Sequence, residues 1–256
     1  MSEPRVLLFD VGNTRLKWGA LKNDRIVRAG SIGHDKLKTQ GFTPLTTRLP
    51  ANVDYVLVSN VAGTAFATRL AGVIGIHYET DVHFARSEKA AYGVRNAYRQ
   101  PRRLGVDRWI ALIGARAETR SAVCVVDAGT AVTIDAMDKT GQHLGGQIIP
   151  GPRLMTAALS KETNDIGLPT GTVRDPGSGM GLFATNTGGA VQSGTLSAVC
   201  GAIERAAKTM RSGGLRPKIV LTGGDASRIL KQLDGNVLHR PHLVLQGLAH
   251  MVQSKV

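Results

Sequence analysis

Three short stretches of this chain join carboxylates to glycine-bearing turns at the ends of apolar runs. Asp10-Val-Gly-Asn-Thr follows Val6-Leu-Leu-Phe, and Asp127-Ala-Gly-Thr follows Val123-Cys-Val-Val. The third, Thr222-Gly-Gly-Asp225, ends the run Lys218-Ile-Val-Leu. Glycine lets the backbone approach a ligand closely, and successive turn N–H groups can cradle an anion. A carboxylate repels phosphate, but it holds phosphate through a divalent cation and its waters. Any one such turn is also an ordinary chain reversal. Two in register, with Asp127 matching Asp10, Gly129 matching Gly12 and Thr130 matching Asn13, suggest a nucleotide held between two related halves.

A fourth stretch, residues 95–108, reads R-N-A-Y-R-Q-P-R-R-L-G-V-D-R and carries five arginines beside one Tyr and one Asp. That composition suits a pocket for a carboxylate or phosphate, and equally a solvated basic loop. Asp107 opens a helix expected over residues 108–118, where from its spacing alone it fits an N-cap.

The elements that must position these residues follow from periodicity. Residues 6–21 read as a β-hairpin, a buried strand followed by a tight turn and an alternating return strand, and residues 123–137 repeat it. Residues 25–50 read as further edge strands and loops, residues 55–61 as a buried strand and residues 64–70 as a short helix. Residues 144–151 read as a Gly-rich strand and turn, with a helix start at 152–160 and an irregular stretch at 161–178. Small residues from 185 lead into a close-packing helix, and 198–210 and 242–252 read as amphipathic helices. Alternation of β and α predicts an α/β fold with mixed sheets. A boundary near residue 117 divides the chain into halves of 1–116 and 117–256.

The totals exclude several classes. At 256 residues and 42% hydrophobic content the chain can bury a full core, and no apolar run is long enough for a membrane span. Cys124 and Cys200 lie in apolar contexts, as expected of free buried thiols in a reducing compartment, and a cytoplasmic location is expected. The seven His are isolated and read as surface or satisfied core. There is no P-loop, no kinase H-R-D or D-F-G set and no G-x-G-x-x-G after a strand. The net charge of +13 attracts polyanions, yet the basic residues are scattered and no nucleic-acid-binding motif accompanies them.

Taken together, these residues resemble the type III pantothenate kinases of the acetate kinase, sugar kinase, Hsp70 and actin superfamily. The resemblance rests on Asp10-Val-Gly-Asn-Thr-Arg-Leu-Lys17, Gly105-Val-Asp-Arg108, Asp127-Ala-Gly-Thr130, Gly145-Gly-Gln-Ile-Ile-Pro-Gly151, Asn186-Thr187 and Thr222-Gly-Gly-Asp225, in the family's order. It implies two related ribonuclease H-like halves, each a mixed sheet flanked by helices, and ATP-dependent phosphorylation of pantothenate. The ATP contacts it implies are Asp10, Val11, Gly12, Asn13, Thr14, Arg15, Leu16, Lys17 and Thr130, with residues 222–225 near adenosine. Asp10 would hold Mg²⁺ through water, and Asp127 a monovalent cation, K⁺ or NH₄⁺. Tyr98, Gly105, Val106, Asp107, Arg108 and Thr187 would contact pantothenate, with Asp107 as the base. The resemblance also implies a homodimer. Two other readings stay open: a regulatory protein that binds nucleic acid, and a kinase of the same superfamily with another acceptor.

Overall fold

The computed structural model describes residues 5–23, 25–163 and 182–254. Two compact units divide the chain. The first holds the described residues of 1–120, 140–143 and 242–256, and the second those of 121–139 and 144–241.

The first unit contains β1 (Val6–Val11), β2 (Arg15–Lys22), β3 (Arg25–Gly33), α1 (His34–Gln40), α2 (Thr43–Thr46), β4 (Tyr55–Asn60), α3 (Thr64–Tyr78) and β5 (Val82–Phe84). A small hairpin of β6 (Ala90–Ala91) and β7 (Val94–Arg95) and then α4 (Val106–Glu118) follow. Its main sheet has the order β3-β2-β1-β4-β5. All six residues of β1 are buried, which explains its uninterrupted apolar run: it is the central strand, antiparallel to β2 and parallel to β4. Leu7, Phe9 and Val11 share one core with Leu37, Leu45, Leu70 and Ile74 of the helices α1 to α3. Side chains alternate along a strand, so Asp10 points with Leu8 to the opposite face.

The second unit repeats this arrangement with β8 (Val123–Ala128), β9 (Ala131–Met137), β10 (His143–Pro150), α5 (Pro152–Glu162), α6 (Thr187–Ser212), β11 (Lys218–Thr222), α7 (Ala226–Leu230) and β12 (Val237–His239). Its sheet order, β10-β9-β8-β11-β12, is that of the first sheet. Cys124, Val126 and Ala128 pack with Val199, Cys200 and Ile203 of α6 on one face, and Asp127 therefore points to the other. The expected pair of related halves, each a mixed sheet flanked by helices, is present. Both cysteines are free and buried, and burial pushes the Cys124 thiol up to about 12, so it is inert at neutral pH.

The last helix, α8 (Leu243–Gln253), packs in the first unit against α4. Gly114 and Gly247 let these two helices touch backbone to backbone. A Cβ on Gly247 would lie 2.2 Å from the Ile110 carbonyl oxygen, and one on Gly114 would lie 2.7 Å from that of Leu243. Every residue of α4 from Arg108 to Arg116 is buried, so the helix has no solvent face to show in its pattern.

The structure corrects several sequence expectations. Residues 34–46 hold two short helices rather than strands and loops. The helix expected over 64–70 runs on to Tyr78, carried by the buried pair Leu70 and Ile74 one turn apart. The helix after the arginine-rich stretch begins at Val106 with Gly105 at its N-cap, so Asp107 lies in the first turn and is not the cap. Residues 187–212 form one continuous 26-residue helix. Of the irregular stretch expected over 161–178, Lys161 and Glu162 finish α5, and 164–178 lie outside the described residues.

Candidate active site

The first turn is built by the ends of β1 and β2. Gly12 N–H donates to the Arg15 carbonyl at 3.0 Å, closing the chain reversal over residues 12–15. His34 N–H donates to the Thr14 carbonyl at 2.9 Å, and Val61 N–H to that of Val11 at 2.9 Å, so neighbouring segments clamp the turn from two sides. Asp10 is 7% exposed. Its cross-strand partner is Lys17, whose Nζ lies 3.7 Å from Asp10 Oδ2. Ser59 sits beside Asp10 in the parallel register of β4, and its Oγ is buried without a hydrogen-bond partner among the described residues. Below the turn, the His34 ring stacks on Phe66 at 4.5 Å. Burial and Lys38 push the His34 imidazole below its ordinary value, which keeps it neutral at physiological pH.

A second cluster in the same unit surrounds the start of α4. Tyr98 is held by its own loop: its N–H donates to Asn96 Oδ1 at 2.9 Å, and Asn96 Nδ2 donates to the carbonyls of Glu88 and Pro101, each at 3.1 Å. Arg108, 6% exposed, donates from Nη1 to the Tyr98 hydroxyl at 3.0 Å, with its guanidinium carbon 5.8 Å from the ring centre. Asp107 Oδ1 accepts from the Arg108 N–H at 2.8 Å. The carboxylate thus lies in the first turn of α4, at the positive end of the helix dipole.

Sequence reasoning missed His143, which is fully buried and stacks on the Tyr98 ring at 6.1 Å between centroids. The segment carrying it is tied to the Tyr98 loop by Arg95, which donates to Gln142 Oε1 at 3.1 Å and Thr140 Oγ1 at 3.0 Å. A contact across some 45 positions leaves no trace in local sequence pattern. Of the two readings of the arginine-rich stretch, the solvated loop holds for most of its arginines. Arg99, Arg102 and Arg103 are exposed, Arg95 is structural, and Arg108 alone meets Tyr98.

In the second unit the turn after β8 is one residue shorter, with Gly129 N–H donating to the Ala131 carbonyl at 3.1 Å. Asp127 is half-buried, and its cross-strand partner is Thr133. Thr130 is exposed, and its carbonyl accepts from Gly151 N–H at 2.8 Å. The Gly-Gly turn packs against the same segment: Asp225 N–H donates to the Ala128 carbonyl at 3.0 Å. Gly223 has φ +99°, and a Cβ there would meet Ala128 backbone at 2.4 Å, so only glycine fits. Thr187 is exposed in the first turn of α6, whose N-cap Asn186 accepts from Gly189 N–H at 2.8 Å.

The donors offered at Asp10 and Asp127 are hard carboxylate oxygens with no sulfur or imidazole among them, which fits Mg²⁺ and alkali cations and not zinc or copper. Asp10, mostly buried and already beside an ammonium group, suits contact with a cation through water.

Two units of one sheet order, each with an aspartate at its first hairpin turn, define the actin-like ATPase and sugar-kinase fold. Solved structures agree on the fold. A Baf family transcriptional activator (so described) from Campylobacter jejuni matches at TM-score 0.63 and 22% identity, covering 97% of this chain and 98% of that one. A 2-dehydro-3-deoxygalactonokinase (so described) from Sinorhizobium meliloti matches at 0.57 and 14%, covering 98% and 99%. The model of the type III pantothenate kinases matches residues 6–209. Type III pantothenate kinases from Nitrosococcus oceani and Azoarcus sp. are 34% and 38% identical to this chain over 97% and 95% of its length, and over 94% and 89% of their own. The chain belongs to the type III pantothenate kinase family.

Proposed function

We propose that this protein transfers the γ-phosphoryl group of ATP to the hydroxyl of pantothenate, giving 4'-phosphopantothenate for coenzyme A biosynthesis. Family membership carries the reaction class, and the Tyr98–Arg108 pair beside Asp107 is the observation that carries the acceptor. A buried guanidinium oriented by a tyrosine hydroxyl suits the carboxylate of pantothenate. Asp107, one residue away, orients the acceptor hydroxyl and takes its proton as the new O–P bond forms and the bond to the β-phosphate oxygen breaks. Such a transfer passes through a loose transition state, in which positioning and charge neutralisation do most of the work and the base acts late.

In this reading the residues 10–17 and Thr130 bind the ATP phosphates, and residues 222–225 lie near adenosine. When bound with ATP, Mg²⁺ neutralises phosphate charge, with Asp10 holding it through water. Asp127 holds K⁺ or NH₄⁺. Gly105, Val106 and Thr187 complete the pantothenate contacts. Residues 1–116 carry the first phosphate turn and the pantothenate motif, and residues 117–256 the second phosphate turn, the adenosine segment and the subunit contacts.

A homodimer is part of the same proposal. Ile148 on the edge strand β10 and Phe183 ahead of α6 are 62% and 64% exposed, with Leu144, Leu154, Leu159 and Leu182 also exposed. Exposed apolar side chains of this size are what a subunit contact would bury. Among the described residues no helix is long and apolar enough to cross a membrane, and the free buried thiols fit a cytoplasmic location.

The test is ADP release with ATP, Mg²⁺ and pantothenate, first with K⁺ and then with Na⁺ replacing it. Turnover that requires pantothenate and K⁺ is expected. Folded dimeric protein that releases no ADP would overturn the reading.

A further inference from the structure

The geometry points to Arg153 as a nucleotide-phosphate contact in the second unit, held in place by the buried carboxylate of Asp225. The inference rests on the nucleotide reading above and adds to it a basic side chain from the second unit. Residues 127–130, read as the second phosphate turn, and residues 222–225, read as the adenosine segment, contain two carboxylates and no basic side chain. Any basic side chain for the phosphates in this unit comes from a neighbouring segment.

The start of α5 is that neighbour. Gly151 packs so closely on the second turn that a Cβ would lie 2.3 Å from the Gly129 carbonyl oxygen and 2.7 Å from that of Thr130. Arg153 stands two residues further on, in the first turn of an 11-residue helix. From the other side, Asp225 is tied to the same turn through its N–H bond to Ala128. The Nε of Arg153 lies 3.8 Å from Asp225 Oδ1, joining the two flanks of the turn.

The character of this pair is what suggests a ligand. The Asp225 side chain is 7% exposed and that of Arg153 is 82% exposed. Oδ1 of Asp225 is buried without a hydrogen bond among the described residues, and its two guanidinium neighbours, Arg153 and Arg228 at 3.9 Å, stand beyond hydrogen-bond distance. Charge therefore aims Arg153 without occupying its N–H fork, the geometry that a phosphate group takes bidentately. If Arg153 turns to a phosphate, Arg228 remains three residues from Asp225 to balance the buried carboxylate. Arg228 itself lies on α7, beyond the Gly-Gly turn, and makes an ordinary i,i+3 pair.

The experiment compares AMP-PNP and AMP binding by calorimetry, with Mg²⁺, in wild type, Arg153→Met and Arg153→Lys. Arg153 is exposed and Arg228 remains beside Asp225, so both variants should fold. Arg153→Met should weaken AMP-PNP at least about tenfold, equivalent to about 1.4 kcal/mol. AMP binding and the KM for pantothenate should not change, and Arg153→Lys should recover part of the loss. Unchanged AMP-PNP affinity in Arg153→Met, or an equal loss for AMP, would overturn the assignment. Wild-type protein that binds AMP-PNP but phosphorylates no pantothenate would overturn the acceptor reading alone, leaving the Arg153 comparison decisive for this one. Wild-type protein that binds no AMP-PNP overturns both.

Discussion

Replacing Gly247 with alanine sets helix propensity against packing, with opposite signs. In an exposed helix the change gains about 1 kcal/mol, because alanine loses less backbone entropy on folding. Here the new Cβ would lie 2.2 Å from the Ile110 carbonyl oxygen and 2.6 Å from Ile110 Cγ2. Carbon–oxygen contacts between helices settle at about 3.3–3.6 Å, so α8 and α4 must separate by about 1 Å. Both obstructing partners belong to a buried helix, and one is backbone that cannot rotate away. The cost therefore falls at the upper end of the roughly 1–3 kcal/mol typical of overpacking. Subtracting the propensity gain leaves a net loss of about 2 kcal/mol, or about 4–8 °C in Tm for a chain of this size. Urea unfolding with unchanged slope and a lowered midpoint is the measurement. Gly72→Ala, on α3 with nothing within 4 Å of the new Cβ, is the control and should stabilise by up to about 1 kcal/mol. A Gly247→Ala variant as stable as Gly72→Ala would refute the close crossing. Since α4 carries Asp107 and Arg108 in its first turn, the displaced helix should also raise the KM for pantothenate.

Four further outcomes are expected. Asp107→Asn should lower kcat about a hundredfold or more while leaving nucleotide affinity intact, and equal loss of both in folded protein would mean the base is misassigned. Tyr98→Phe removes the 3.0 Å bond that aims Arg108, so the KM for pantothenate should rise about tenfold with a smaller change in kcat; the reverse split would place Tyr98 in the chemical step. Asp127→Ala should abolish stimulation by K⁺ over Na⁺, and a variant still stimulated would put the cation elsewhere. The Arg5 guanidinium, 2.7 Å from Asp54, holds that exposed carboxyl down to about 2 from 3.8, so its contribution to stability is present above pH 3.8 and lost as pH falls toward 2. Asp54→Asn should remove that part of the acid dependence in a pH series of urea midpoints.

What the sequence made legible was what local pattern encodes. The runs before Asp10 and Asp127 are central strands buried on both faces, and each is followed by a short glycine turn and an alternating return strand, so both halves could be read from residues 6–21 and 123–137. Helices α1 and α2 escaped because seven and four residues, anchored mainly by Leu37 and Leu45, are too short to display a period. The N-cap at Gly105 was misplaced because Asp107 has the chemistry of a cap, whereas the chain turns two residues earlier. Composition could not choose between a pocket and a solvated loop for the arginine-rich stretch, because the choice is made by position, which sends Arg95 to Thr140 and leaves only Arg108 buried beside Tyr98.

Under the proposed assignment, the repeated topology would let one hairpin design serve two cations. In the first unit the cross-strand partner of the aspartate is Lys17, which already compensates Asp10 at 3.7 Å. A carboxylate so neutralised has little reason to strip a small, tightly hydrated divalent ion, which favours contact through water. In the second unit the same register places the neutral Thr133 opposite Asp127, and the turn is shorter by one residue. Under the proposed assignment, the neutral residue at this cross-strand position leaves room for direct contact between half-buried Asp127 and a weakly hydrated monovalent ion. One substitution tests this logic apart from catalysis. Thr133→Lys would give the second hairpin the cross-strand partner of the first, and the response to K⁺ should fall although Asp127 is retained. A Thr133→Lys protein with full K⁺ stimulation would show that the cross-strand partner does not set the choice of ion.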